Sequence, residues 1–293
     1  MKELTILSGK GGAGKTSVAA SIASVAQNAV LCDDDVDAAD LHLIFKPEVK
    51  EVHRFEGGQV AVIDEEKCTN CGICWSYCRF DAIHTKAGSG FYINAYQCEG
   101  CRLCERVCPS KAIHSYRNNN NYWFVSDSRF GPFVHAKMGA GEDNSGKLVA
   151  TVRQKAREIA TETNAEFIIN DGPPGIGCPA ISSISGVDAV LLVVEPTRSG
   201  LHDAQRLVSL TNSFNVPVYG FINKYDINLQ VSETIEAFLN KNHIPLLGRW
   251  NFDVNIVKAM LEKMSVVEFA PEGETAREVK KVWEQLKSLM LTD

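Results

Sequence analysis

Leu4-Thr5-Ile6-Leu7 runs directly into Ser8-Gly9-Lys10-Gly11-Gly12-Ala13-Gly14-Lys15-Thr16, and an alanine-rich stretch from Ser17 to Ala26 follows. The segment fits the phosphate-binding pattern G-x-x-x-x-G-K-[ST], with Gly9, Gly14, Lys15 and Thr16 at the fixed positions. An apolar strand before it and a helix after it are the context the pattern needs. Glycines 9, 11, 12 and 14, with the small Ala13, let backbone N–H groups close around phosphate oxygens, and a helix N-terminus at Ser17 adds positive potential. In such a loop Lys15 reaches the β/γ-phosphates and Thr16 holds Mg2+. Gly9 to Ser17 is therefore the expected nucleotide-binding loop.

Outward from this loop, strands and helices alternate. Ala29-Val30-Leu31-Cys32 reads as a buried strand ending in Asp33-Asp34-Asp35-Val36-Asp37, where carboxylates would meet a ligand. Phe167-Ile168-Ile169-Asn170 is another, and it delivers Asp171-Gly172-Pro173-Pro174-Gly175. Ala189–Val194, Val218–Ile222 and a strand beginning at Ile244–Leu247 continue the series. Val149 to Ala160 has helical periodicity with Asn144 or Ser145 as its cap, and Glu142 to Lys147 reads as a solvated cap region. The fold class expected is α/β, with a doubly wound, mainly parallel sheet. Thr275 to Met290 carries an apolar stripe (Val279, Val282, Trp283, Leu286, Leu289) that suits packing on the sheet better than lying on a membrane.

Composition narrows the classes further. An apolar share of 45% and a charged share of 23% describe a globular chain, and its 293 residues suffice for one large domain or two smaller ones. The net charge of −6 argues against a nucleic-acid partner. No apolar run approaches the roughly 18 residues of a membrane span. The first strand starts at once, so no signal peptide and a cytoplasmic location are expected.

Eight of the ten cysteines lie between Cys68 and Cys108, in a block that repeats at an offset of 30 residues. Cys68, Cys71, Cys74 and Cys78 align with Cys98, Cys101, Cys104 and Cys108. Each half is C-x2-C-x2-C-x3-C, the two-cluster bacterial ferredoxin spacing in which the fourth cysteine serves the other cluster. Cys68, Cys71, Cys74 and Cys108 are thus expected to hold one [4Fe–4S] cluster, and Cys98, Cys101, Cys104 and Cys78 the second. Zinc ribbons would show two C-x2-C pairs instead. Pro109 follows Cys108, whereas Arg79 follows Cys78, a charge that points to a raised potential for the cluster Cys78 serves. The expected α+β ferredoxin-like domain spans residues 59–118, inserted into an ATPase domain of residues 1–58 and 119–293.

Lys10 makes the loop GKGGxGKT, which resembles the deviant Walker A loop of the MinD/Mrp superfamily, a group that includes the nitrogenase iron protein. The resemblance covers essentially the whole chain. It implies a dimer, of two copies or with a paralogous ATPase, that sandwiches two ATP molecules while Lys10 crosses to the partner's nucleotide. Asp33 and Asp35 match the family's D-x-D segment, so Asp35 would orient the attacking water and Asp33 support the Mg2+ shell. Asp171 to Gly175 looks like its D-x-P-P-G motif, with Asp171 on Mg2+ through water and the Gly175 N–H sensing the γ-phosphate. Asn223-Lys224-Tyr225-Asp226 also matches the guanine motif N-K-x-D, but the resemblance favours ATP with Asn223 on adenine. Lys10, Lys15, Asp35 and Asp171 are the implied catalytic set.

The expected function is ATP hydrolysis that switches a dimer and drives electron transfer to a redox partner protein. Iron–sulfur or metal-cofactor assembly, with a client protein as partner, and a MinD-like positioning ATPase are the alternatives. Cys178 reads as a small residue packed in a loop before Pro179, because free cysteine is among the most buried residue types; the alternative is a thiol that faces the dimer or partner surface and handles metal transiently.

Overall fold

The structure is a computed structural model describing residues 1–55, 59–86, 90–95, 97–117, 121–139 and 145–292. β1 (Lys2–Ser8) feeds α1 (Lys15–Val25), and β2 (Ala29–Asp33), α2 (Leu41–Phe45) and β3 (Glu48–Phe55) follow. The cysteine block supplies β4 (Gln59–Ile63), α3 (Ile73–Tyr77), β5 (Ile83–Thr85), β6 (Phe91–Ile93), α4 (Leu103–Val107) and β7 (Ile113–Arg117). Next come β8 (Asn121–Ser128), β9 (Gly131–Lys137), α5 (Ser145–Glu162) and β10 (Phe167–Pro174). Then α6 (Cys178–Ile184), β11 (Ala189–Val194), α7 (Arg198–Ser213), β12 (Val218–Ile222) and α8 (Leu229–Lys241) alternate. The chain ends with β13 (Leu246–Arg249), α9 (Val254–Leu261), α10 (Val266–Phe269) and α11 (Glu274–Leu291).

Two compact units result: Met1–Val52 with Trp123–Ala136 and Gly146–Asp293, and His53–Tyr122 with Lys137–Ser145. Residues 58, 118 and 119, at the expected domain boundaries, lie outside the described residues. So do 120 and 142–144, which include the expected cap Asn144 and half of the Glu142 to Lys147 cap region.

The first unit is built on a sheet of order β13-β12-β11-β1-β10-β2-β9-β8-β3. β1 lies parallel between β10 (Leu4 beside Ile169) and β11 (Ile6 beside Leu191), and β2 runs parallel on the far side of β10. Strands buried on both faces read as unbroken apolar runs, which is why these were visible in the sequence. Alternate residues serve opposite layers. Ile6, Leu191 and Phe221 join Val18, Ile22, Val279 and Trp283 of α1 and α11, while Leu7, Leu192 and Ile222 join Leu207, Ile235 and Leu239 of α7 and α8. The α11 stripe is thus packed inside, with Trp283 edge-on to Phe167 at 5.0 Å. Three strands were not expected: β9, parallel to β2, and beyond it β8 and β3. β3 and β8 are largely exposed or half-buried, and in β9 the buried Phe133, Val134, His135 and Ala136 include a histidine, so no apolar run marks them. The sheet is large and mixed, but mainly parallel. Among the described residues no helix is long and apolar enough to cross a membrane.

In the second unit β4 pairs antiparallel with β7 and β5 with β6. The backbone repeats as the sequence does. Residues 70 and 100, 72 and 102, and 81 and 111 all take left-handed conformations, each pair separated by the same offset of 30. At Gly100 only glycine fits, since a Cβ would come within 2.1 Å of the Gln59 carbonyl oxygen.

Candidate functional site

The carboxyl ends of β1, β10 and β2 lie side by side, so the phosphate loop, Asp171 and the acidic run from Asp33 meet at one edge of the sheet. Gly12 and Gly14 take φ of 81° and 89°, and a Cβ on Gly14 would meet Asn223 Nδ2 at 2.0 Å. Gly9 is equally constrained, since a Cβ there would lie 2.3 Å from Asp203 Cβ. Lys15 is buried, and its Nζ donates to Asp171 Oδ1 at 2.6 Å and lies 3.3 Å from Asp35 Oδ2. Burial works against its charge, but Asp171 and Asp35 outweigh that and hold its pKa above the ordinary value. Thr16 Oγ1 is 3.5 Å from the same Nζ.

The acidic run divides its tasks. Asp33 is fully buried, and its carboxylate accepts the N–H groups of Asp35 and Leu41, both at 3.2 Å. Burial and then Asp171 push its pKa well up. Burial likewise lifts Asp35 to about 6 against the pull of Lys15. Asp34 points the other way. It accepts a hydrogen bond from Cys32 Sγ at 3.2 Å, lies 3.9 Å from Arg153 Nε, and is lifted to about 7 by burial. Arg153 in turn donates to Glu3 Oε1, which also accepts from Asn170 Nδ2, and Arg157 donates to Glu3 Oε2.

Beyond the loop is a cavity of about 390 Å3, lined by Gly11, Gly12, Gly14, Lys15, Thr16, Ser17 and Asp35, and by Asn223. Its outer wall is Phe252, Ile256, Val257 and Met260, which no motif announced. Asn223 Nδ2 donates to the Ala13 carbonyl at 2.9 Å, so this side chain braces the loop. Its Oδ1 is buried without a partner, and so is Asp171 Oδ2. These two orphaned acceptors fit a nucleotide with Mg2+, because an adenine amino group and a metal-bound water are both donors. Asp226, the acid that would read guanine in N-K-x-D, accepts the Phe252 N–H at 2.6 Å.

Two expectations meet existing bonds. The Gly175 N–H donates to the Ser8 carbonyl at 3.0 Å, so contact with a γ-phosphate requires that bond to open. Lys10 Nζ is held within its own chain by Glu195 Oε2 at 3.1 Å and Thr197 Oγ1 at 3.1 Å. Lys224 Nζ binds the other oxygen of Glu195 at 2.7 Å, and the two lysines together keep the glutamate's pKa low although burial would raise it. Glu195 was missed because an acid after an apolar strand has no specific spacing.

In the second unit the eight clustered cysteines line two cavities. Cys68, Cys71, Cys74 and Cys108 share one with Phe91, and Cys78, Cys98, Cys101 and Cys104 share the other with Tyr77 and Phe80. Each set takes three sulfurs from one half of the repeat and the fourth from the other. Among the described residues no three His, Cys, Asp or Glu side chains converge tightly enough for a single metal ion. Four cysteines converging from both halves of the repeat fit a [4Fe–4S] cluster, in which each iron takes one thiolate. Cys32 is buried, whereas Cys178, at the first residue of α6, is exposed and not packed away as expected.

Residues 61–115 match the family described as 4Fe-4S dicluster domain, and residues 145–287 match the NUBPL iron-transfer P-loop NTPase family. An uncharacterized protein of Methanocaldococcus jannaschii, MJ0578, is 34% identical over 291 residues, 98% of this chain and 97% of that protein. An uncharacterized ATP-binding protein of the same organism, MJ0169, is 24% identical over 91% of this chain and 80% of its own length. Two solved structures share the fold. The MinC:MinD cell division protein complex of Aquifex aeolicus gives a TM-score of 0.60 at 16% identity, covering 98% of this chain and 96% of that one. The septum site-determining protein MinD of Pyrococcus horikoshii, complexed with Mg-ADP, gives 0.58 at 18% over the same shares. The chain belongs to the MinD/Mrp superfamily of P-loop NTPases, in a form that carries a 4Fe-4S dicluster domain.

Proposed function

We propose that the protein is a Mg2+-dependent ATPase that works as a nucleotide-switched dimer and couples hydrolysis to electron transfer toward a partner protein. The observation that carries this is one chain holding both kinds of equipment. Its phosphate-loop lysine rests on two carboxylates that phosphates would displace, and eight of its cysteines surround two cavities. Gly9 to Ser17 would cradle the phosphates, Asn223 Oδ1 would meet the base, and Thr16 and Asp171 would hold Mg2+. Asp35 would orient the water that attacks the γ-phosphorus as the bond to the ADP oxygen breaks, and Lys15 with a partner's Lys10 would offset the developing charge. Clusters bound by the two cysteine sets supply one-electron carriers. The test is a redox titration of anaerobic protein with and without MgATP. The proposal expects nucleotide to move at least one cluster potential, and identical curves would remove the coupling.

The match of residues 145–287 to a family described by iron transfer favours a second reading, an iron–sulfur or metal-cofactor carrier. ATP-dependent delivery of labelled iron to an apo-ferredoxin, with no effect of nucleotide on potential, would establish it over the first.

A further inference from the structure

The two cysteine cavities share a backbone plan and differ in what reaches their sulfurs. At the offset of 30, Cys108-Pro109-Ser110-Lys111-Ala112 corresponds to Cys78-Arg79-Phe80-Asp81-Ala82, and Lys111 and Asp81 share a φ of 50°. The Ala112 N–H donates to Cys108 Sγ at 3.3 Å, and the Ser110 hydroxyl lies 3.6 Å from the same sulfur. Once that sulfur is an iron-bound thiolate, the Ser110 hydroxyl becomes the donor of that pair and adds a side-chain hydrogen bond to the one from the Ala112 N–H. At the equivalent place Phe80 has no hydroxyl. The second set has backbone contacts of its own, the Ala61 N–H on Cys98 Sγ at 3.5 Å and the Glu105 N–H on Cys104, but no side-chain donor stands at the place of Ser110. Both cavities have apolar walls; the first adds the hydroxyls of Thr69 and Ser110, and the second adds Glu99 and Arg102, the latter paired with Glu105.

A cluster held by four thiolates gains negative charge when it is reduced. Hydrogen bonds to its sulfurs therefore raise its potential, and apolar surroundings lower it. Side-chain charge adds to the same difference. Lys111 stands alone after Cys108, while Arg79 and Asp81 offset one another after Cys78. All three are exposed, so solvent and salt reduce their share and the sulfur contacts decide.

We propose that the cluster held by Cys68, Cys71, Cys74 and Cys108 has the higher potential and keeps the first electron, and that Ser110 sets the difference. This reverses the order that Arg79 alone suggested. An electron from a one-electron donor would reduce one cubane and settle on the first set, so that the second set feeds the first within the chain. The inference rests on the two-cluster reading of the cysteines.

The experiment is an anaerobic redox titration of the full chain with dithionite, followed by electron paramagnetic resonance, for wild type, Ser110→Ala and Phe80→Ser. Ser110→Ala should lower the higher of two midpoints by roughly three- to tenfold in the reduction equilibrium, a tenfold change being 59 mV for one electron. The lower midpoint should stay in place. Phe80→Ser should raise the lower midpoint and narrow the gap. With iron near eight per chain, a Ser110→Ala shift confined to the lower midpoint, or no shift at either, overturns the proposal. Wild-type protein with markedly less iron and only one cluster signal would instead refute the two-cluster reading.

Discussion

Replacing Asp34 with asparagine should change how stability depends on pH. Asp34 is fully buried, its Oδ2 has no hydrogen-bond partner, and its one nearby cation, Arg153, is 3.9 Å away and shared with Glu3. Burial wins over Arg153, so the folded protein keeps this proton up to about pH 7, against an ordinary value of 3.8. Between those values the native state binds more protons than the unfolded chain, so stability falls as pH rises. From pH 5 to pH 8 this one group takes away about 2 to 3 kcal/mol. Asparagine has no such titration. Its carbonyl can still accept from Cys32, and the backbone N–H that donates to the Asp171 carbonyl at 2.9 Å is untouched. An amide left there without an acceptor would cost about 1 to 3 kcal/mol equally at every pH. The assay is urea unfolding followed by the buried Trp250 and Trp283, with variant and wild type paired at pH 5 and pH 8. The variant should gain about 2 to 3 kcal/mol on the wild type between the two. A difference between the proteins that is the same at both pH values would refute the reasoning.

Further outcomes are expected at the nucleotide site and at the clusters. Lys10→Ala should retain nucleotide binding through Lys15 yet lose hydrolysis by roughly 10^3-fold, while Glu195→Gln, which releases Lys10, should strengthen ATP-dependent self-association about fivefold. Sedimentation and phosphate release measure both, and full activity in a monomeric Lys10→Ala protein would end the sandwich arrangement. Hydrolysis should decline as pH falls through about 6, where Asp35 takes its proton, and a pH–rate profile that stays flat from 5 to 8 counts against its role. Anaerobic protein should carry about eight iron and eight sulfide, and Cys74→Ser should lower both; zinc in their place would exclude the clusters.

Much of the fold was legible because the chemistry demanded rigid spacing. Four cysteines on a short loop and helix cannot wander, and a phosphate loop needs glycine wherever a Cβ would strike Asn223 or Asp203. The doubly buried strands announced themselves as apolar runs. The edge strands did not, since Glu48-Val49-Lys50-Glu51-Val52 is exposed throughout and carries no burial pattern. The cavity wall at Phe252, Ile256 and Met260 was illegible for another reason. It is a loop phenylalanine and one apolar face of α9, like any other until the sheet places them opposite the loop. Cys178 misled because a residue type's average burial says nothing about a helix start that faces outward.

What the sequence could not disclose is the state in which its lysines rest. Read as motifs, Lys10 and Lys15 are both assigned to phosphates, yet in this structure each is already neutralised by carboxylates of its own chain. Lys15 lies on Asp171 and Asp35, and Lys10 shares Glu195 with Lys224. Burying a cation without such partners would cost several kcal/mol, so the carboxylates are what allow a lysine to wait inside the site. On the proposed function the same pairing would hold the site at rest, because Asp171 Oδ1 is occupied by Lys15 and the Gly175 N–H by the Ser8 carbonyl. Arriving phosphates would draw Lys15 away, release Asp171 to the metal, and open the Gly175 bond together. Nucleotide binding energy would thereby be converted into movement of the segment that starts at Asp171, which is the movement a dimer switch requires.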